Sequence, residues 1–85
     1  MYEIILPKSV QKELDKVADV YYSRISNKIF HLEIEPRPIG CVKLSDNDEY
    51  RIRVGKYRIL YEINDKEKLI AIYKIAHRKE AYKKK

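Results

Sequence analysis

The sequence has little of several residue types on which common functional sites depend. Its single cysteine, Cys41, excludes an internal disulfide framework and a multi-cysteine zinc site, and this scarcity is typical of the reducing cytoplasm. His31 has no second histidine or cysteine at ligand spacing, so no metal is expected. Two glycines cannot build a glycine-rich phosphate loop, so nucleotide-triphosphate and dinucleotide chemistry are poorly supported. No apolar run approaches the roughly 18 residues of a membrane span, and no signal peptide opens the chain.

What the sequence does have is positive charge, concentrated in its second half. The 85 residues carry 19 Lys and Arg against 13 Asp and Glu, a net charge of +6. Residues 1–42 hold six side chains of each sign, whereas residues 43–85 hold thirteen basic and seven acidic ones. The three terminal lysines supply only half of the excess. We interpret the first half as scaffold and the second half as a surface for a polyanion or an acidic protein.

The apolar pattern of the first half predicts a strand followed by two helices. Residues 2–6 form a β-rich run that Pro7 ends, and the spacing then becomes helical. A second helix follows, with Asp19 as its predicted N-cap, and it ends before the Pro36-Arg37-Pro38 segment. The side chains expected on the buried helical faces are Val10, Leu14, Val17, Tyr21, Ile25, Ile29 and Leu32.

The second half reads as strands and turns. Alternating side chains predict strands over residues 41–44, 50–54, 57–63 and 69–76. Gly55-Lys56 is a two-residue link of the kind that hairpins use, because glycine accepts a positive φ. The fold expected for a single domain over residues 1–85 is α+β: an antiparallel β-sheet meander with an N-terminal strand and a helical hairpin packed on one face.

The predicted hairpin places two arginines opposite each other. A two-residue turn pairs Arg53 with Arg58, on the face opposite to Ile52. Directly opposed like charges destabilise a sheet by up to about 1 kcal/mol. A bound phosphate would turn this pair into a clamp, because guanidinium groups bind phosphate oxygens bidentately. The alternative is that both arginines extend into solvent.

A second cluster follows the last predicted strand. His77 and Arg78 lie where this strand ends, and a helical turn would bring Tyr82 to the same side as Arg78. Converging on the arginine pair, they would suit phosphodiester cleavage, with cations stabilising the transition state and His77 or Tyr82 moving a proton. The simpler alternative is a structural or exposed His77. Whether Lys74 projects from the same face as Arg53 and Arg58 depends on a hairpin register that the sequence leaves open.

The order and spacing of these segments resemble the RelE/ParE superfamily of bacterial and archaeal toxins over nearly the whole chain. The most specific matches are Tyr50-Arg51-Ile52-Arg53-Val54, Tyr57-Arg58-Ile59-Leu60-Tyr61-Glu62-Ile63 and His77-Arg78-Lys79-Glu80-Ala81-Tyr82. The resemblance implies a type II toxin of the RelE branch. Such a toxin is a ribosome-dependent endoribonuclease that cleaves mRNA in the A site by attack of the 2′-hydroxyl on the adjacent phosphate, and it needs no metal or cofactor.

The resemblance also implies roles for individual residues. Arg58 matches the arginine that contacts the scissile phosphate, and Arg78 matches the one that stabilises charge in the transition state. Tyr82 matches the tyrosine that orients the RNA or stacks on it. The catalytic candidates are therefore Arg53, Arg58, Arg78, Tyr82 and His77. The RNA-binding candidates are Arg51, Lys43, Lys74 and Lys79.

One departure from the family pattern concerns the general base. Arg51 and Arg53 stand where well-studied relatives carry a pair of lysines. A crowded lysine can lose its proton, whereas arginine effectively cannot. The base is therefore expected to be His77 or Tyr82, or there is no strong base and the activity is modest.

The resemblance further implies a cognate antitoxin. The positive charge predicts that its contacting segment is acidic or amphipathic and that salt weakens the complex. The main alternative is a ParE-like toxin, which inhibits DNA gyrase and cuts no RNA. Those chains generally have a longer helical hairpin and lack the set of arginines with a terminal tyrosine. A third alternative is a basic ribosome- or RNA-binding module without catalysis, which the arginine replacements keep open.

Overall fold

The computed structural model describes residues 1–77, which contain two helices and five strands. The strands and helices are β1 (Glu3–Ile5), α1 (Lys8–Asp15), α2 (Asp19–His31), β2 (Val42–Ser45), β3 (Glu49–Val54), β4 (Tyr57–Asn64) and β5 (Leu69–His77). The sheet order is β1-β5-β4-β3-β2, and β2 to β5 form an antiparallel meander. The α1 helix packs on β5 and α2 on β3. The α+β prediction is confirmed.

The start of α2 differs from the prediction by one residue. Ala18 is the N-cap, and it makes no side-chain cap hydrogen bond, so the prediction of Asp19 as N-cap is wrong. Asp19 lies in the first turn, where its carboxylate still favours the positive end of the helix. Within residues 1–77, neither helix is long and apolar enough to cross a membrane.

The partner of β1 is a feature that the alternation pattern does not predict. This strand runs parallel to β5 and pairs with residues 69–71. Further along β5, Glu13 of α1 covers the open edge. Its Oε1 accepts the backbone N–H of Ile75 at 2.8 Å, and its Oε2 lies 3.0 Å from Nζ of Lys74. Because an unpaired strand edge invites pairing with other chains, this carboxylate helps to keep the edge closed.

The core lies between the two helices and one face of the sheet. Tyr61 is fully buried there, and its hydroxyl donates to the backbone carbonyl of Pro36 at 2.8 Å. Its ring stacks on Tyr50, with centroids 5.9 Å apart. Burial raises the pKa of Tyr61, so its hydroxyl stays a donor. The other buried apolar side chains are Val10, Leu14, Val17, Ile25, Ile29, Leu32, Ile52, Val54, Ile59, Ile63, Ile70, Ile72, Ile75 and Ala76.

Arg37, in the segment between α2 and β2, joins distant parts of the chain. Its Nη2 lies 2.8 Å from Oδ2 of Asp65 in the β4–β5 turn, and its Nε donates to the Tyr50 hydroxyl at 2.9 Å. The hydroxyl of Tyr2 donates to Oδ1 of Asp65 at 2.6 Å. We refer to these four residues as the Arg37 cluster. Hydrogen bonds from Arg37 and Tyr2 lower the pKa of Asp65 to about 2.

Replacing Asp65 should change the pH dependence of stability. The folded-state pKa of Asp65 lies below its ordinary value of 3.8, so the stabilisation is complete above about pH 4 and is lost as the pH falls toward 2. We expect Asp65→Asn to lower the urea midpoint at neutral pH, and the midpoints of the two proteins to converge near pH 2. Asp46→Asn, in an exposed turn, is the control. A difference that stays constant down to pH 2 would contradict the assignment.

Candidate functional site

The β3–β4 hairpin has the register that the sequence predicts. Gly55 opens the two-residue turn with a φ of 57°, and Arg53 lies opposite Arg58. Directly opposed residues project from the same face of a sheet. Ile52 and Ile59 point into the core, so the two arginines project from the face that the helices leave uncovered.

The two arginines differ in exposure. Arg53 is exposed, whereas Arg58 is only 2% exposed. The alternative in which both extend into solvent is therefore wrong for Arg58. Arg51 projects from the same face and is half-buried. We refer to the sheet face from which Arg51, Arg53 and Arg58 project as the arginine face. Because water screens a buried cation weakly, Arg58 exerts a stronger field on a nearby anion than an exposed arginine does.

The register of the β4–β5 hairpin answers the question about Lys74. Tyr73 is an extra residue in β5, so that Tyr61 lies opposite Ile72 and Leu60 lies opposite Lys74. By this register Lys74 projects from the arginine face. Its ammonium group, however, is paired with Glu13 at 3.0 Å and so is directed toward α1. Lys74 therefore contributes less positive charge to the arginine face than its register position suggests.

His77 projects from the other face of the sheet. It lies opposite Tyr57, whereas Arg58 lies opposite Ala76. The His77 ring packs edge-on against the Tyr57 ring, with centroids 5.3 Å apart, and it lines a recess of about 570 Å³ beside α1. The predicted convergence of His77 on the arginine pair is therefore wrong, because successive side chains of a strand alternate between faces.

The remaining predicted site residues lie apart from the arginine pair or beyond residue 77. Lys43 lies opposite Tyr50, with Nζ 6.0 Å from the Tyr50 ring centroid and 3.7 Å from Oδ1 of Asp48. Within residues 1–77, no group of three or more His, Cys, Asp or Glu side chains is arranged to hold a metal ion. Three predicted site residues lie outside the described residues: Arg78, Lys79 and Tyr82.

The arginine face of the sheet is acidic at its other end. Glu49, the first residue of β3, lies opposite Glu62 of β4, whereas Arg53 lies near the other end of β3. Tyr73 donates its hydroxyl to Oε1 of Glu49 at 3.5 Å, and burial together with the two carboxylates raises the pKa of Tyr73. Glu49 and Glu62 are not among the site residues predicted from the sequence, although the hairpin register that pairs Arg53 with Arg58 also pairs these two glutamates. A polyanion on this face is attracted to the arginine end and repelled from the glutamate end.

Sequence comparisons relate the whole chain to a family of toxins. A family model described as the ParE toxin of the type II toxin–antitoxin system parDE matches residues 4–82. A protein of Methanocaldococcus jannaschii that carries the name toxin RelE1 is 30% identical over 86 residues, which cover 96% of each chain. The similarity therefore spans both helices and all five strands and is not confined to the arginine hairpin.

Solved structures of toxins share the fold. A chain of the archaeal RelE–RelB complex from Pyrococcus horikoshii is 32% identical, with a TM-score of 0.79 over 91% of this chain and 94% of that chain. A chain of the RelB–RelE antitoxin–toxin complex from Methanococcus jannaschii is 28% identical, with a TM-score of 0.75 over 92% of this chain and 94% of that chain. The isolated Escherichia coli RelE toxin, at 18% identity and a TM-score of 0.79 over 91% of this chain and 84% of that chain, shares the fold alone.

Reversing the charge of Arg53 should raise the free energy of unfolding. The substitution Arg53→Glu replaces directly opposed like charges by an opposite pair, a change we expect to stabilise the hairpin by a few tenths up to about 1 kcal/mol. Urea unfolding measures the gain, which should shrink in high salt because Arg53 is exposed. Lys56→Glu, in the adjacent turn, makes the same charge change without an opposed arginine. Equal gains in the two variants would argue against the pairing.

Proposed function

The chain belongs to the ParE toxin family of type II toxin–antitoxin systems, within the RelE/ParE superfamily, and on that premise we propose that it is a RelE-type, ribosome-dependent endoribonuclease. Its substrate is mRNA presented in the ribosomal A site, so it acts in the cytoplasm. The observation that carries the proposal is the opposed pair Arg53 and Arg58 with Arg51 on the same sheet face. Three guanidinium groups on one face suit the phosphates of an RNA strand.

The proposed reaction is an internal transfer at phosphorus. A bond forms between the 2′-oxygen and phosphorus, and the bond from phosphorus to the 5′-oxygen of the next nucleotide breaks. The 2′-hydroxyl loses a proton and the leaving 5′-oxygen gains one, so the products are a 2′,3′-cyclic phosphate and a 5′-hydroxyl. Negative charge builds up on the phosphate oxygens in the transition state, and fixed cations stabilise it.

The residue roles follow the family pattern. Arg58, which projects from the arginine face and is only 2% exposed, contacts the scissile phosphate, and its weakly screened charge makes it effective there. Arg53 and Arg51 bind the phosphates on the exposed part of the face. Arg78 supplies further transition-state stabilisation, and Tyr82 orients or stacks on the RNA. Glu49 and Glu62, at the other end of this face, repel the RNA strand and so limit the direction in which it can lie.

The general base is the least conventional part of this site. Arg51 and Arg53 keep their protons and so cannot act as bases. His77 packs against Tyr57 on the other face of the sheet. The candidates that remain are Tyr82 as the proton acceptor, or catalysis that depends mainly on positioning and charge. A modest rate is expected in either case.

A cognate antitoxin is the second proposed partner. The archaeal relatives with similar folds were solved with RelB antitoxins. The arginine face of this chain would attract an acidic or amphipathic segment, and binding of that segment would block access to Arg53. Such a complex should weaken as salt rises, because exposed charges contribute to it.

Inhibition of DNA gyrase is a second candidate function, because the family model that matches is described as a ParE toxin. The two functions leave different products in the cell. A nuclease leaves cut mRNA, whereas a gyrase poison leaves mRNA intact and traps gyrase on DNA. A basic module without catalysis would bind ribosomes and leave neither product.

Inducing the chain should arrest growth and cut mRNA inside translated codons, as primer extension would detect. Arg58→Lys keeps the charge of a buried residue but removes the bidentate fork, and we expect a rate loss of about 10²-fold, the scale for losing one transition-state donor. Arg78→Ala should behave similarly, whereas Lys66→Ala, in the exposed β4–β5 turn, is the control. Full toxicity in both arginine variants would remove the site assignment. Trapped gyrase–DNA complexes beside intact mRNA would select the gyrase function.

His77 and Tyr82 can be separated by a matched pair of substitutions. His77→Gln should keep the cleavage rate within a few-fold of wild type, because its ring lies across the sheet from the arginines. Tyr82→Phe removes only the hydroxyl and should lower the rate by about 10²-fold if that oxygen takes the proton. Cleavage of a programmed ribosome, followed over time, measures both. A loss of about 10²-fold in His77→Gln alone would instead assign the proton transfer to the histidine.

A further inference from the structure

An open cleft lies between α2 and the end of β3. It has a volume of about 570 Å³ and is lined by Arg24, Asn27, Lys28, His31, Arg53, Val54 and Gly55. Arg24, Lys28 and His31 follow one another at helical spacing, so they share one side of α2. The seven steps from Arg24 to His31 span about 10 Å of helix, so these side chains form a row and not a single point. We refer to this feature as the α2 cleft.

The second wall of the α2 cleft is a strand end that β2 does not cover. The pairing of β2 with β3 stops at Arg51, so the outer edge of residues 53–55 lies beyond it. Gly55 holds this wall close to α2, because a Cβ atom at this position would overlap the ring of Tyr21. The close contact at one end fixes the two walls of the cleft relative to each other.

The charge of the α2 cleft is positive and locally uncompensated. Within residues 1–77, no Asp or Glu side chain lines it, and no carboxylate of that part of the chain forms an ion pair with Arg24, Lys28 or Arg53. Arg24 and Lys28 are like charges four residues apart on a helix, an arrangement that disfavours the helix. Arg24 packs its guanidinium over the Tyr21 ring, 5.4 Å from the centroid, which helps to hold it at the cleft.

We propose that the α2 cleft binds the sugar–phosphate backbone of a single RNA strand outside the scissile site. The identity of the polyanion as RNA rests on the proposed function. Arg53 belongs both to the cleft and to the arginine face. An RNA strand that runs off the arginine face can therefore continue along α2 and stay in contact with positively charged side chains. Contacts of this kind position a nucleic acid and carry no sequence preference.

RNA fits this cleft better than an acidic protein segment does. Peptide segments usually anchor through apolar side chains, and Val54 is the one aliphatic side chain among the lining residues. The large exposed apolar side chains that residues 1–39 carry do not line the cleft; they are Met1, Ile5, Val20, Tyr22, Phe30, Ile34 and Ile39. The cations Arg24, Lys28 and Arg53, with no large apolar side chain between them, match a chain of regularly spaced phosphates.

The test measures binding of RNA that cannot be cut. The probe is a short, fluorescently labelled oligouridine with 2′-O-methyl groups, which lacks the attacking hydroxyl, and anisotropy gives its affinity over a series of salt concentrations. The variant is Arg24→Gln with Lys28→Gln. The matched control is Lys8→Gln with Lys12→Gln, which removes two exposed charges at the same spacing from α1. Circular dichroism and urea unfolding confirm that both double variants fold.

We expect the α2 variant to lose affinity and its salt slope to flatten by about 1.4, since each phosphate contact to a single strand contributes about 0.7. The control should keep the wild-type slope. Equal changes in both variants, or none in either, would overturn the proposal. Fluorescently labelled polyglutamate is a second probe, measured in the same way. If the α2 variant loses binding of polyglutamate while its salt slope for RNA is unchanged, the cleft binds an acidic protein and the RNA proposal is wrong.

The outcome is independent of the proposed nuclease activity. If wild type cuts no mRNA on ribosomes but the α2 variant shows the flattened slope, the cleft is an RNA site and the nuclease proposal is wrong. If wild type cuts mRNA and the slope of the α2 variant is unchanged, the nuclease proposal stands and the cleft proposal is wrong.

Discussion

The register of the β3–β4 hairpin is the constraint on which the rest of the structure depends. The two-residue turn at Gly55 fixes it, and the turn residue also lies against α2. With this register, Ile52 and Ile59 enter the core while Arg53 and Arg58 project from the opposite face. A slip of one residue would reverse both assignments together, burying charge and exposing the core. The arginine face is thus defined by the same contacts that define the core.

The relative energies explain why a like-charged face is tolerated. Burying one isoleucine or valine stabilises the fold by about 1.5–3 kcal/mol, whereas an opposed pair of like charges costs at most about 1 kcal/mol. The apolar side of the hairpin therefore decides the register, and the charged side follows. Both ends of that face carry such a pair, arginines at one end and glutamates at the other. The apolar contacts of the core therefore outweigh two pairs of like charges on the other face of the sheet.

Local pattern was sufficient to predict the hairpin and the helical faces, because turn chemistry and side-chain alternation act within a few residues. It did not reveal the extra residue at Tyr73, which sets the position of Lys74, although the step of three from Ile72 to Ile75 carries that signal. The parallel partner of β1 depends on a crossover of the whole chain, which no local pattern encodes. The face from which His77 projects depends on the β4–β5 register. The prediction that His77 converges on the arginine pair was wrong because local pattern did not give that register.

Counting charge by halves of the sequence also concealed part of the surface. The first half is neutral in sum, yet α2 places Arg24 and Lys28 on one side, and its acidic residue, Asp19, lies in its first turn. Folding brings this row beside Arg53, so the positive surface continues from the sheet around the end of the hairpin. Arginine at position 53 is suited to that junction, since its planar fork can bind two phosphate oxygens at once while a lysine offers a single charge. Under the proposed function, Arg53 would hold the RNA strand at the corner between the two surfaces, and because it keeps its proton it would not act as the base.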